Sequence, residues 1–133
     1  MATVLVDSNV LLDILIPDPL WEEWSSQALT DAAEWALLAI NPIIYGEVSI
    51  GFRRIEELEA ALPEELRREP LPWDAAFLAG KACLAYRRRS GTKSRTLPDF
   101  YIAAHAAVRR YTLLTRDHGR LRTYFPSLSI IHP

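Results

Sequence analysis

The stretch Val4-Leu5-Val6-Asp7-Ser8-Asn9-Val10-Leu11-Leu12 decides the fold. Thr3 to Val6 is a short apolar, β-branched run without polar alternation, the pattern of a strand buried on both faces, and it stops at an acid, Asp7. Ser8 and Asn9 are good helix caps, and the apolar residues after them continue as a helix until Pro17 and Pro19 break it. Strand, acid, turn and helix in that order open an α/β unit. In open α/β sheets ligands bind beyond the carboxyl ends of the strands, so an acid placed there is a candidate for chemistry.

The rest of the chain repeats the alternation. A second helix is expected over Leu20 to Ala33, with Trp21, Trp24 and Ala28 at helical spacing, and a second buried strand over Trp35 to Ile40. Asn41 caps the following helix, with Pro42 at its first position. Ile55 to Leu62 reads as a charged helix, and Pro70 and Pro72 bound a linker. A helix capped by Asp74 runs over Ala75 to Arg89, a polar basic loop covers Ser90 to Thr96, and Pro98-Asp99 opens a further helix. Tyr111 to Thr115 is the third strand and Leu128 to Ile131 a fourth. Strands alternating with helices imply a parallel sheet covered on both faces.

Composition agrees. The 133 residues fit one domain, and with 50% hydrophobic and 24% charged residues the chain can bury a core without staples. The single cysteine, Cys83, stands among small apolar neighbours and reads as a buried hydrophobe, which excludes an internal disulfide and points to a reducing compartment, the cytoplasm. No apolar run is long enough for a bilayer, and no basic residue precedes Arg53, so neither a membrane span nor a signal peptide is expected. The net charge of −2 hides an asymmetry: residues 1–74 carry 15 acids and 4 bases, residues 75–133 carry 2 acids and 11 bases. That balance implies either a basic face for a polyanion or two halves that interleave and cancel.

Four acids sit near strand ends or helix starts. Asp7 ends the first strand, Glu47 lies in the helix after the second, Asp99 in the first turn of the helix before the third, and Asp117 two residues beyond the third. Gathered carboxylates repel one another and are stabilised by a hard divalent cation, which takes oxygen ligands, acidifies a bound water and clamps phosphate oxygens. Each acid taken singly also has an ordinary role, as a helix cap, a dipole match or a turn residue. Asp13, inside the first helix, reads as a surface residue.

The four segments together resemble the PIN domain. Val4-Leu5-Val6-Asp7-Ser8-Asn9 is similar to its opening motif, Tyr45-Gly46-Glu47 to its second acidic position, Leu97-Pro98-Asp99-Phe100 to its third and Leu113-Leu114-Thr115-Arg116-Asp117 to its fourth. The nearest group is the VapC-like toxin ribonucleases of toxin–antitoxin pairs. The resemblance implies a three-layer α/β/α sandwich with a central parallel sheet, one domain over residues 1–133, and a Mg²⁺- or Mn²⁺-dependent endoribonuclease leaving 5′-phosphate and 3′-hydroxyl ends. It implies Asp7 and Asp99 as direct metal ligands, and Glu47 and Asp117 acting through waters or completing a second metal site. Asn9 and Thr115 would orient those carboxylates. It further implies an RNA substrate, a cognate antitoxin protein and a homodimer.

Lys93 and Arg95 precede Asp99 in an acid-free basic stretch and are candidate RNA phosphate clamps. The alternating possibility of a metal-free ribonuclease built on histidines finds little support, since His105, His118 and His132 read as packed, turn and terminal residues. The four tryptophans read as core or interface anchors, with Leu20, Trp21 and Trp24 as part of a groove for an antitoxin helix. Two rival functions are a non-catalytic RNA-binding scaffold and an aspartyl-phosphate phosphotransfer domain. The first gives gathered carboxylates no purpose. The second wants partner residues that are missing around Asp7.

Overall fold

A computed structural model describes residues 2–90, 95–119 and 121–133 of the chain. Five parallel strands form one sheet: β1 (Ala2–Val6), β2 (Ala36–Ile40), β3 (Arg67–Arg68), β4 (Thr112–Leu114) and β5 (Ser129–Ile131), in the order β3-β2-β1-β4-β5. The helices are α1 (Ser8–Leu15), α2 (Glu22–Trp35), α3 (Pro42–Ser49), α4 (Ile55–Ala61), α5 (Trp73–Ser90), α6 (Leu97–Arg109) and α7 (Leu121–Tyr124).

The strand order explains the layers. The chain steps from β1 to β2 to β3 in one direction across the sheet, then returns to β4 and β5 on the other side of β1. Right-handed crossovers therefore put the connecting helices of the two halves on opposite faces. α1 accordingly packs on α2 and α3, and α2 on β1 and β2, while α5 packs on α6 and α7 and α6 on β4. The result is a three-layer α/β/α sandwich. Because β1 is central it must be apolar on both faces, and Val4, Leu5 and Val6 are wholly buried.

Several elements form for local reasons visible in the sequence. Asn41 accepts from the Ile44 amide through its side chain, and Pro42 takes the first helical position of α3. Thr96 and Asp99 close a reciprocal capping box at the start of α6. Cys83 is buried as a small hydrophobe. No helix among the described residues is long and apolar enough to cross a membrane.

Four expectations need correction. Trp35 closes α2 instead of opening β2, and the backbone turns extended only at Ala36. The start of α2 is delayed to Glu22, because the Asp18 carboxylate accepts from the Leu20 and Trp21 amides in a turn. Strand β3 was not foreseen: it is two exposed arginines, paired to Ala39 and Ile40 by backbone alone. Trp73 is 90% exposed, so of the core and interface roles expected of the tryptophans it does not fill the core one.

Candidate active site

The direction of connection reverses at β1, between β2 and β4, and that reversal opens a crevice at the carboxyl edge of the sheet. Asp7 stands at its base. Its backbone N–H still donates to Leu114 O, 2.9 Å away, so its position is fixed by β4. The side chain caps α1: the Ser8 amide donates to Oδ1 at 2.7 Å, and the Thr115 hydroxyl donates to Oδ2 at 2.8 Å.

Thr115 organises the floor. A hydroxyl has one hydrogen to give and two lone pairs, and here all three are used. It donates to Asp7 and accepts from Asn9 Nδ2 and from the Asp117 amide, both at 3.2 Å. Asn9 returns along the same path, its Oδ1 accepting from the Arg116 amide at 3.1 Å. Thr115 is wholly buried, so water cannot replace these bonds.

Glu47 reaches the site from α3 through Ser8, whose hydroxyl donates to Glu47 Oε1 at 2.8 Å. The same hydroxyl lies 3.4 Å from Asp7 Oδ1, too long to compete for its single hydrogen. Ser8 thus couples two acids from different elements. Reading it only as a helix cap missed this role, and its place between Asp7 and Asn9 in the opening motif was the available signal.

Asp7, Asp99 and Asp117 line one cavity of about 60 Å³ together with Ser8, Asn9 and Arg95. Its size suits waters or a small ion, not an organic ligand. Asp99 spends Oδ2 on the capping box, accepting from the Thr96 amide and hydroxyl. Asp117 is exposed and meets Arg95, whose Nη2 lies 3.4 Å from both its Oδ1 and its backbone O. Lys93 lies outside the described residues.

The electrostatics are those of crowded acids. Burial pushes the Asp7 carboxyl above its ordinary range, outweighing the bonds from Thr115 and Ser8, and the Asp99 charge adds to the rise. Glu47 is pushed up by burial and by the charges of Asp7 and Asp99, against the Ser8 hydroxyl. Among the described residues, no three His, Cys, Asp or Glu side chains converge closely enough to hold a metal ion as they stand. The donor chemistry nevertheless fits a hard cation: carboxylate oxygens around a small polar cavity, with a repulsion that a divalent ion would relieve.

A fifth correction concerns an acid of α1. Asp13, expected at the surface, is 3% exposed. Arg116 grips it with two bonds, Nε to Oδ2 at 2.9 Å and Nη2 to Oδ1 at 3.0 Å, and Ser25 donates to Oδ2 at 2.7 Å. The guanidinium also lies over the Trp21 ring, 5.1 Å from its centre. This clamp ties α1 and α2 to the loop that carries Thr115 and Asp117. The Asp13–Arg116 and Asp74–Arg109 pairs also join the acidic and basic parts of the chain, so the two halves partly interleave. The histidines separate too: His105 is buried in α6, while His118 and His132 stack with ring centres 3.8 Å apart.

A parallel sheet in the order β3-β2-β1-β4-β5, with acids beside the point where its connections reverse, defines a doubly wound α/β domain with an acidic site at its switch point. The PIN domain model matches residues 4–126, and the chain belongs to the PIN domain family. No curated protein matches it. In fold it is similar to the VapBC2 complex from Rickettsia felis bound to a DNA fragment from their promoter, with a TM-score of 0.72, 18% identity and 98% of each chain covered. The DNA-bound VapBC of Salmonella typhimurium gives 0.70 at 20% identity, covering 99% of this chain and 98% of that one. VapC20 of Mycobacterium tuberculosis, a toxin that cleaves the sarcin–ricin loop, gives 0.64 at 14% identity, covering 95% and 98%.

Proposed function

We propose that this chain is a divalent-metal-dependent endoribonuclease and the toxin of a toxin–antitoxin pair. One observation carries the reading: Asp7, Asp99 and Asp117, from separated segments, line one small cavity at the sheet's switch point, with Glu47 tied to its edge through the Ser8 hydroxyl and with Thr115 bonded to both Asp7 and the Asp117 amide. PIN membership and the near full-length likeness to VapC folds support it. A mere binder of polyanions has no use for such acids, which would repel RNA.

Asp7 and Asp99 would hold Mg²⁺ or Mn²⁺ directly, with Glu47 and Asp117 acting through waters or at a second ion. A bound cation there supplies an acidified water and neutralises charge building on the phosphate. The protein's own residues do the positioning. Thr115 and Asn9 fix the Asp7 carboxylate, Ser8 holds Glu47 beside it, and Thr96 fixes Asp99 from the other face of the sheet. Arg95, at the cavity wall, is placed to bind a phosphate of the RNA, and Lys93 precedes it on the same stretch.

The partners follow from the same reading: RNA as substrate, a cognate antitoxin, and a second copy in a homodimer. Leu20 is 77% exposed beside Trp21 and Trp24, which meet edge to face with ring centres 6.4 Å apart, and offers apolar surface to an antitoxin helix. The work would be done in the cytoplasm.

The test is direct. Pure protein incubated with RNA and Mg²⁺ or Mn²⁺ should cut it, and EDTA or Asp7→Ala should stop the cutting. Cleavage unchanged by both controls refutes the mechanism. RNA binding that survives Asp99→Ala, with no cleavage at any metal concentration, would make the chain a binding scaffold instead.

A further inference from the structure

Arg95 is the one cation among the described side chains lining the acidic cavity. It is held there by the turn that follows Asp117. The Arg95 side chain is only 15% exposed, whereas the Asp117 side chain it meets is 76% exposed. Gly119 lies at φ 48°, and a Cβ on it would run into the guanidinium. The turn therefore offers Arg95 a carbonyl, a carboxylate and a space that only glycine leaves open. Yet both contacts are 3.4 Å, long beside the 2.7–2.9 Å of a firm charge-assisted bond. Arg95 is housed at this position without being locked to it.

A guanidinium stays charged at any working pH, so it lowers the repulsion among the acids permanently while it is there. It also repels a divalent ion entering the same cavity, and it engages Asp117, one of the acids proposed to serve that ion.

We infer that Arg95 is the built-in counter-ion of the site and that it exchanges Asp117 for an RNA phosphate when substrate binds. The inference rests on the nuclease reading and deepens it. In the resting protein the guanidinium neutralises Asp117 and holds metal affinity down. An RNA phosphate offers two oxygens to the same fork, draws Arg95 away, and releases Asp117 to the cation. Metal and RNA then strengthen each other's binding, as reciprocal coupling requires.

Calorimetric titration of Mn²⁺ alone, without RNA, tests this on four proteins: wild type, Arg95→Gln, Gly119→Ala and Asp7→Ala. Removing a unit charge a few ångströms from the ion should tighten Mn²⁺ binding by about tenfold in Arg95→Gln. Gly119→Ala, which crowds the guanidinium out of its seat, should move the same way. In cleavage assays Arg95→Gln should raise KM for RNA several-fold. Gly119→Ala forces a side chain into a left-handed turn, so if that variant fails to fold, Arg95→Gln decides alone. Mn²⁺ binding that Asp7→Ala abolishes but Arg95→Gln leaves within twofold of wild type overturns the counter-ion role and leaves the nuclease reading intact. Absence of Mn²⁺ binding in both wild type and Arg95→Gln overturns the metal reading itself, and this inference with it.

Discussion

Arg116 and Asp13 form a two-bond ion pair across 103 residues of sequence, with the carboxylate buried and the guanidinium partly open to solvent. The two partners should not be equally costly to remove. Arg116→Ala strands a buried carboxylate that keeps only Ser25, and should cost about 3 kcal/mol. Asp13→Ala leaves a guanidinium that is 29% exposed and still stacked over Trp21, so it should cost about half as much. Urea denaturation of both variants measures the difference. Equal losses would mean that the pair is not buried in the way described.

Thr115 should behave as a hub and not as a spectator. Thr115→Val keeps the shape but leaves Asp7 Oδ2, Asn9 Nδ2 and the Asp117 amide without their partner. Unsatisfied buried groups cost about 1–3 kcal/mol each, partly recovered here by rearrangement at the cavity, so a loss of roughly 2 kcal/mol is expected. Thr115→Ser keeps the hydroxyl and should keep most of the stability and activity. Comparing the two by thermal unfolding and RNA cleavage separates the hydroxyl from the methyl group.

Much of this site was legible because its signals are local. An apolar run ending at Asp7, the Asn41-Pro42 start of α3, and Pro98-Asp99 in the first turn of α6 each announce an element by neighbouring residues alone. What stayed hidden depends on partners far away in sequence. Asp13 looked like a helix-surface acid because nothing near it discloses Arg116. Strand β3 has no apolar signal, since an edge strand of two residues is held by backbone pairing to β2 and its side chains face solvent. Trp35 and the run after it read as one strand because both a buried strand and the apolar end of a helix present the same composition.

The crowding of the acids makes a pH prediction. The folded protein raises the pKa of both Asp7 and Glu47, mainly through burial. As pH rises from the ordinary carboxylate range, the unfolded chain therefore loses these protons first and holds fewer than the native state. Stability supplied below that range is lost as pH climbs through the raised native values. Glu47→Gln keeps an acceptor for Ser8 and removes one charge from the cluster. In metal-free buffer at neutral pH it should melt about 3 °C higher than wild type, the shift expected of roughly 1 kcal/mol in a chain of this size. The gap should close below pH 4, measured as Tm against pH with EDTA present. Added Mn²⁺ should raise the Tm of wild type more than that of Glu47→Gln.

His105 gives the opposite slope, away from the cavity. It is wholly buried in α6, where Asn41 Nδ2 meets its Nδ1 at 2.9 Å. An amide donor on Nδ1 puts the ring proton on Nε2, which faces Glu69 Oε1 at 3.5 Å without a hydrogen bond among the described residues. Burial lowers the pKa of the ring, and the Glu69 charge only partly opposes this. Once the pH drops below the unfolded value of about 6.5, the unfolded chain takes up a proton that the native state refuses. Stability present above that pH should therefore fall until the depressed native pKa is reached. His105→Gln cannot titrate and should lack this segment of the profile, although the poorer fit of an amide beside Asn41 and Tyr111 makes it less stable throughout. Urea midpoints taken from pH 7.5 to 5 in both proteins would show it: parallel curves would mean that His105 takes up its proton equally in the folded and unfolded chain, and a wild-type curve that gains on the variant toward low pH would mean an imidazolium paired with Glu69.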